Sequence, residues 1–218
     1  SVSDDITPTR GEVTLMVGSK VLGNTKGTFL EREATFMSTN VSATLAGKTT
    51  SLSATESKAS RKADVDARFV GEEAGKKVDS MRKEVEYKTG KMNIVLGPDG
   101  LAQLLSFALV PAFYGESVRK GKSVYEGRLG EKVAEEGLEL VEDPTIDWGL
   151  GSGSFDDEGV DSERIPLISN GGELGNFLYD LKEACKSETE STANGVRGSF
   201  MSPPDTGARN LVLKGQEK

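Results

Sequence analysis

The first part of the chain carries the two-residue period of β-strands. Val13, Leu15 and Val17 alternate with polar residues, which is the pattern of a half-buried strand. Asn-Thr-Lys-Gly at residues 24–27 predicts a turn, and the Thr- and Val-rich run that follows predicts one or two more strands. A further short strand is expected around residues 49–54. We interpret this whole region as β-structure.

Residues 62–86 change to a period of three to four and predict one long amphipathic helix. The charged residues cover the other faces, so the helix is expected to pack on a sheet. The apolar positions on the packing face are Ala63, Ala67, Val70, Ala74, Val78, Met81 and Val85.

Residues 91–113 predict a buried strand followed by a buried helix. The strand is KMNIVLGP, and Pro98 then occupies the favoured first turn of a helix. This helix is apolar on most sides, which predicts deep burial. Pro111 lies inside the run and is expected to kink or end the helix, because proline has no backbone N–H and its ring collides with the preceding turn.

The remainder of the chain predicts short strands and loops. Ile165, Leu167 and Ile168 predict a strand, and residues 170–172 a hairpin turn. A return strand is expected to follow and to run into a short helix, and residues 187–204 are interpreted as a loop with isolated strand pieces. The predicted fold class is therefore α+β, with largely antiparallel β sheets, a long amphipathic helix and a buried helix.

Composition narrows the possible functions. The 218 residues carry a net charge of −8, which argues against direct binding of nucleic acid. No apolar run reaches the ~18 residues of a membrane helix, and no leader peptide is apparent at Ser1, where we suspect a fragment or a processed chain. The single cysteine, Cys185, excludes an internal disulfide and fits a reducing, cytoplasmic compartment.

The chain contains no histidine. Histidine is the usual general base near neutral pH and the commonest metal ligand. Any Ser-His, Cys-His or His-zinc mechanism contained within this chain is therefore excluded, whereas hydroxyl, carboxylate and lysine chemistry stay open.

Three neighbouring acids, Asp156, Asp157 and Glu158, stand in a glycine- and serine-rich segment. They are compatible with a hard-cation site, although their spacing is not that of a calcium loop. In an extended segment, Asp156 and Glu158 face the same side and suit an acid/base pair. The third interpretation is a turn whose carboxylates accept backbone N–H groups.

Other candidate groups carry weaker signals. Ser106 and Ser123 are possible nucleophiles, with Lys122 as a base for Ser123, but neither serine lies in a G-x-S-x-G elbow. Cys185, on the predicted short helix, is expected to be a packed core thiol. The glycine turns STANG (residues 191–195) and NTKG (residues 24–27) lack the length and lysine placement of a phosphate loop.

Three sequence blocks, taken in order, resemble the TldD/PmbA family. They are GPDGLAQLLSFALVPAFYGESV, then GSGSFDDEGV, then RIPLISNGGELGNFL with STANGVRG after it. The resemblance implies a two-lobed fold rich in antiparallel β structure. On this basis, residues 1–90 correspond to the middle section of the family fold, and residues 91–218 to its β-rich C-terminal domain, apparently truncated at both chain ends.

The resemblance also bears on metal chemistry. In the TldD kind of subunit the corresponding helix resembles LLHExxxH, in which two histidines bind zinc, the glutamate is the base, and a distant cysteine adds a ligand. The matching positions here are Ser106, Phe107 and Pro111, and none of them offers a good zinc ligand or a base. The resemblance therefore implies a PmbA/TldE-like subunit with no catalytic or metal-binding residue of its own, and zinc in a TldD-type partner.

The implied function is that of a non-catalytic subunit of a TldD/TldE-type peptidase complex acting on unfolded or flexible peptides. A heterodimer with the zinc subunit and a homodimer both stay open. So do two other functions: a divergent metallopeptidase or hydrolase active by itself, and a regulatory binding protein of the DNA gyrase modulator type. The family motif loop would then be a structural turn near a subunit interface or shared cavity, or a grip on substrate peptide. Its residues are Phe155, Asp156, Asp157, Glu158 and Gly159.

Overall fold

A three-stranded sheet forms from the β-rich first part of the chain. The computed structural model describes residues 3–47, 50–83, 86 and 88–215. The strands β1 (Ile6–Gly23), β2 (Phe29–Leu45) and β3 (Leu52–Ser60) lie in that order, with β2 and β3 antiparallel. The predicted β-structure and the turn after β1 are confirmed. The run after the turn forms the single strand β2, and the strand expected around residues 49–54 begins at Leu52 and extends to Ser60, with residue 49 outside the described residues.

The predicted half-burial of β1 is wrong. Val13, Leu15 and Val17 are 59%, 64% and 78% exposed. Alternation shows which residues share a face of a strand, but burial of that face depends on another element packing against it.

The helix α1 (Ala67–Ser80) packs against this sheet. Asp66 caps its first turn, because its Oδ1 accepts the backbone N–H groups of Arg68 and Phe69. The helix is therefore shorter than the predicted 62–86, and Val85 lies outside the described residues. The predicted packing face is confirmed in its centre, where Val70, Ala74 and Val78 are fully buried. A small core unites this helix with the sheet through Ile6, Ala43, Leu45, Ala54, Ala74 and Val78.

The predicted strand at residues 91–98 is wrong, and the deep burial predicted for the following helix holds only at its end, where Val110 and Phe113 are 2% and 0% exposed. Residues 91–97 form no strand, and Ile94 and Val95 are 72% and 97% exposed. The helix α2 (Pro98–Leu104) begins at Pro98 as expected but contains no buried residue. An apolar run becomes a strand only when a neighbouring strand completes its hydrogen bonds, and the described residues supply none here.

The helical path changes at Pro111, as predicted. A π-helical segment (Leu105–Leu109) follows α2, and a 3₁₀ turn (Val110–Phe113) follows that segment. The N–H of Val110 donates to the carbonyl of Leu105, five residues back. A widened turn relieves the clash between the proline ring and the preceding turn of the helix.

The second half of the chain forms short strands around one core. The strand β4 (Glu139–Glu142) lies between β5 (Ile165–Ile168) and β8 (Leu211–Lys214) and is antiparallel to both. The two-residue strands β6 (Gly195–Val196) and β7 (Asp205–Thr206) also pair antiparallel. The helices are α3 (Gly115–Arg119) and α4 (Leu181–Lys186).

The hairpin turn at residues 170–172 is confirmed, because the N–H of Gly172 donates to the carbonyl of Ser169 at 2.8 Å. The predicted return strand is wrong, since the described residues of this segment form isolated bridges instead, Ile168 with Leu174, Lys132 with Glu173 and Tyr114 with Leu178. Leu178 leaves the hairpin and donates its N–H to Phe113 instead, at 2.8 Å. The core of this half comprises Phe113, Tyr125, Leu140, Ile165, Leu167, Ile168, Leu174, Phe177 and Leu178.

The chain divides into two compact units. One takes the residues up to Ser19 together with Glu33–Asn93, and the other takes Lys20–Arg32 together with the chain from Ile94 onward. The tip of the β1–β2 hairpin therefore belongs to the second unit. Within the described parts of the chain, no helix has both the length and the apolar character of a membrane span.

We predict that the β5 core governs the stability of the second unit. Leu167 is fully buried, so Leu167→Ala should lower the free energy of unfolding by about 2–5 kcal/mol through lost burial and a residual cavity. Val95→Ala removes apolar atoms from a side chain that is 97% exposed and should change stability little. Urea denaturation followed by circular dichroism measures both, and equal losses in the two variants would contradict the assignment of the core.

Candidate functional site

The site is built on the acidic loop, residues 155–159, which forms a tight turn. The N–H of Asp156 donates to the carbonyl of Val160 at 3.0 Å. Gly159 has φ +86°, which an L side chain rarely adopts. Leu22 and Leu30, from the hairpin tip, lie against this glycine. The segment is therefore a turn and not the extended strand on which the acid/base interpretation depended.

Asp156 is the centre of the loop and is 1% exposed. Its Oδ1 accepts the N–H groups of Glu158 and Val160, both at 2.9 Å. Its Oδ2 accepts the N–H of Gly195 at 2.8 Å, which lies 39 residues further along the chain. A buried carboxylate needs such donors to replace water, so Asp156 joins the acidic loop to β6.

Asp157 joins the acidic loop to Lys20 through its side chain and to Arg197 through its backbone N–H. One carboxylate oxygen accepts the ammonium of Lys20, and the other accepts the N–H of Arg197 at 2.8 Å. Burial lowers the pKa of Lys20, and the guanidinium of Arg32 lowers it further. Arg197 also donates to the carbonyl of Ser202 at 2.5 Å, so Asp157 fixes the base of the loop between β6 and β7.

Glu158 meets the start of α4. Its Oε2 accepts the N–H of Leu181 at 2.7 Å. A Cβ atom at residue 195 would stand 2.5 Å from this oxygen, so the close approach requires glycine there. Burial raises the pKa of the Glu158 carboxyl, and the nearby carboxylates of Asp180 and Asp156 raise it further, against the lowering effect of the Leu181 N–H.

Phe155 anchors the loop, as expected, because its side chain is 2% exposed. The guanidinium of Arg32 lies over its ring, 5.3 Å from the centroid, in the geometry of a cation–π contact. The Phe155 carbonyl accepts from Arg32 at 3.4 Å and from Arg209 at 3.3 Å. Burial lowers the pKa of Arg209, which the carboxylates of Glu142 and Asp156 oppose.

The side chains of the STANG segment, beside the acidic loop, form hydrogen bonds with the backbone of Tyr179. Thr192 Oγ1 accepts the N–H of Tyr179 at 2.7 Å, and Ser191 Oγ donates to the carbonyl of the same residue at 3.1 Å. Ala193 has φ +56°, a strained value for a residue with a Cβ. The segment places Gly195 opposite Asp156 and leaves its hydroxyl groups occupied by protein partners.

The loop geometry fits the turn interpretation better than the two chemical ones. Across the residues that the structure describes, no group of three or more His, Cys, Asp or Glu side chains is arranged to hold a metal ion. The hydrogen bonds of Asp156, Asp157 and Glu158 go to backbone N–H groups and to Lys20. Such contacts hold the chain in place and leave little of the carboxylates for a substrate.

Ser106 and Phe107 lie on the π-helical segment, and Pro111 lies on the 3₁₀ turn that follows it. Ser106 is exposed, and Phe107 is 84% exposed. The spacing of the resembled H-E-x-x-x-H pattern therefore spans two helical segments of different type. Zinc does not fit here, because a hydroxyl, a phenyl ring and a pyrrolidine ring replace the ligands and the base.

The remaining candidates are structural or peripheral. Ser123 is buried, and its Oγ donates to the carbonyl of Ala112 at 2.5 Å while accepting the N–H of Tyr125 at 3.0 Å. Its hydroxyl is therefore engaged, and Lys122 is exposed beside it. The prediction for Cys185 is wrong, because the thiol is exposed on α4 and not packed in the core. Helical period alone did not show which side of so short a helix is covered.

Sequence reasoning missed Lys20 and Arg209, which surround the acidic loop from distant parts of the chain. It also missed that Arg197, the residue after the STANG block and its valine, is held by Asp157. A signal existed for Arg197, because STANGVRG accompanied the acidic loop in the resemblance. No local pattern marks Lys20, which is one charged residue among many in a β-strand.

Comparison with known proteins identifies the family of this chain. The family model for the PmbA/TldA metallopeptidase C-terminal domain matches residues 89–218. The chain therefore belongs to the TldD/PmbA family of metalloprotease homologues.

Two sequence relatives illustrate the range of the family. An uncharacterised protein of Methanocaldococcus jannaschii is 33% identical over 94% of this chain and 47% of the relative. A protein of Methanothermobacter thermautotrophicus named a metalloprotease is 34% identical over 68% of this chain and 32% of the relative. The chain thus spans about half or less of the length of these relatives.

Two solved structures share the fold. The crystal structure of TldE from Thermococcus kodakarensis matches with a TM-score of 0.87 and 27% identity, over 95% of this chain and 47% of that one. A Thermotoga maritima protein, provisionally named a modulator of a DNA gyrase, matches with a TM-score of 0.78 and 26% identity, over 99% of this chain and 49% of that one. The predicted α+β fold with antiparallel sheets is confirmed.

We predict that Asp156 is needed for folding because of its three backbone bonds. Both carboxylate oxygens of Asp156 accept backbone N–H groups. In Asp156→Asn an NH₂ group replaces one of these oxygens, so a donor faces a donor and a hydrogen bond is lost. The loss should be about 1–3 kcal/mol in the free energy of unfolding. Asp161→Asn removes the same charge from an exposed neighbour and should be nearly neutral. Equal urea midpoints for Asp156→Asn and the parent chain would contradict this role.

A second prediction concerns pH. The folded-state pKa of Glu158 is raised above its ordinary value of 4.5, so the folded chain holds this proton more tightly than the unfolded chain. The resulting stability is present below pH 4.5 and is lost as the pH rises through the folded-state pKa. Glu158→Gln removes this loss, so the variant should gain stability relative to the parent as the pH rises from 4.5.

Unfolding free energies measured at several pH values test this expectation, with exposed Glu163→Gln as the control. A stability difference between Glu158→Gln and the parent that stays constant with pH would show that Glu158 titrates alike in both states.

Proposed function

We propose that this chain is a TldE-like, non-catalytic subunit of a peptidase complex whose zinc and general base reside in a TldD-type partner. The observation that carries the proposal is the helix at residues 98–113. The positions of the resembled zinc motif lie on its π-turn and on the 3₁₀ turn that follows, and they hold Ser106, Phe107 and Pro111.

The chemistry of amide hydrolysis supports the assignment of the zinc and the general base to the partner subunit. Attack of water on an amide needs a metal or a strong general base, and both zinc ligands of the motif and its glutamate are replaced here. The hydroxyl of Ser123 is engaged by backbone partners, and the chain has no imidazole to activate Ser106. A hydrolase acting through either serine is therefore the weaker hypothesis.

The similarity to TldE from Thermococcus kodakarensis supports the choice of subunit type, with a TM-score of 0.87. Flexible or unfolded peptides are the proposed substrates of the complex, and a heterodimer is the proposed assembly, with a homodimer as the alternative. A cytoplasmic location and the division of the family fold at residue 90 also stay proposals.

A regulatory role is the second candidate. The name of the Thermotoga maritima relative, a provisional modulator of a DNA gyrase, is the observation that favours it. The acidic net charge of −8 disfavours direct contact with DNA, so such a role would act on a protein. Cleavage that appears only in the presence of a TldD-type subunit separates the two candidates.

The prediction is that the purified chain binds less than one zinc per molecule and does not hydrolyse casein or unfolded peptides. Addition of the TldD-type subunit from the same genome should give cleavage above that of the partner alone, because the two subunits complete one chamber. Atomic absorption measures the metal and fluorescent casein measures cleavage.

Two variants sharpen the experiment. Ser106→Ala should leave cleavage by the mixture unchanged, since the serine moves no proton in this proposal. Replacement of the partner's zinc ligands should abolish it. Stoichiometric zinc in this chain, or cleavage by this chain alone that Ser106→Ala removes, would overturn the proposal.

A further inference from the structure

The first unit contains a cavity of 430 Å³ between the sheet and α1. Small-molecule sites typically enclose about 300–1,000 Å³, so this space is large enough for a ligand. Ile6 and Pro8 of β1 and Val41 and Ala43 of β2 supply an apolar wall. Ile6 and Ala43 are buried, which places them at its floor.

Two glycines form part of the helical wall of the cavity. Gly71 and Gly75, one turn apart on α1, both line it. A Cβ atom added at Gly71 would meet nothing within 4 Å. Glycine inside a helix costs stability relative to alanine, so the open space beside α1 is maintained against the intrinsic preference of the helix.

A positively charged and a negatively charged side chain of α1 also line the cavity. Arg68 and Glu72 are exposed and lie four residues apart on α1, both lining the cavity. This is the favourable spacing for an ion pair on a helix surface. Within the described part of the chain, however, neither side chain forms a salt bridge. The charge of Glu72 also acts on Lys76, one turn further along α1, but Arg68 and Glu72 are both exposed to groups that enter the cavity.

From these observations we propose that the cavity binds a dipeptide with apolar side chains, whose carboxylate meets Arg68 and whose ammonium meets Glu72. Four residues of helix rise about 6 Å, and two residues of extended chain span about 7 Å. The charged ends of a dipeptide are thus about as far apart as the backbone positions of Arg68 and Glu72 along α1, and those of a single amino acid are closer together. A fatty acid would leave Glu72 unpaired.

The apolar wall selects aliphatic side chains, because burial of apolar surface drives their transfer from water. Arg68 forms planar, two-bond contacts with carboxylates. Since both charges are exposed, each contributes modestly, and most of the affinity comes from the apolar wall. The site is separate from the acidic loop and does not depend on the proposed peptidase complex.

Leucyl-leucine is the probe, added to the full 218-residue chain and followed by isothermal titration calorimetry and by amide NMR shifts in α1. Binding near about 1 mM or tighter is expected. Arg68→Gln and Glu72→Gln should each weaken it about two- to fivefold. Gly71→Leu should abolish it by filling the space, while the melting temperature stays equal or rises because leucine is the better helix former.

Matched controls make the outcome decisive. Asp79→Asn alters the ion pair with Arg82 at the C-terminal end of α1, with its atoms 2.6 Å apart, and should leave binding unchanged. N-acetyl-leucyl-leucinamide has the same side chains without charged ends and should bind about tenfold more weakly. Equal binding of the capped and free peptides, binding that survives Gly71→Leu, or no binding of leucyl-leucine at millimolar concentration would each overturn the proposal.

Discussion

The buried carboxylate of Asp156 is the constraint on which the second unit depends. Three backbone N–H groups converge on it, two from its own turn and one from Gly195. A charge that is 1% exposed is tolerated only when such donors replace its water. The neighbouring acids extend the same principle, because Asp157 holds Lys20 and Arg197 while Glu158 holds the start of α4. One pentapeptide thereby joins the hairpin tip, a helix and a strand pair.

The acidic loop and the helix at residues 98–113 differ in how much their side chains fix the conformation. The loop is held by many mutually dependent bonds, so loss of any acid disturbs several elements. The π-turn of the helix is formed with a serine and an exposed phenylalanine among its side chains. Under the proposed function, replacement of zinc ligands at such exposed positions removes activity without disturbing the fold.

The first unit is stabilised by apolar packing and not by a buried carboxylate. Its core is small, formed by alanine, valine, leucine and isoleucine from the sheet and α1, and its helix leaves room at Gly71. Much of the apolar surface of β1 stays exposed, with Leu15 at 64% and Val17 at 78%. The stability of this unit therefore rests on the contacts between β1 to β3 and the buried face of α1.

Local pattern determined the strands β1 to β3, the centre of α1, the break at Pro111, the hairpin turn at residues 170–172 and the absence of histidine chemistry. Each of these follows from period, backbone restriction or the side chains present. Tertiary structure decided the rest. It left Ile94 and Val95 in solvent, drew Leu178 to Phe113, exposed Cys185 and brought Lys20 to Asp157, 137 residues away. Burial and long-range pairing depend on which segment packs against a given segment. That packing partner is distant in the sequence, so local pattern does not identify it.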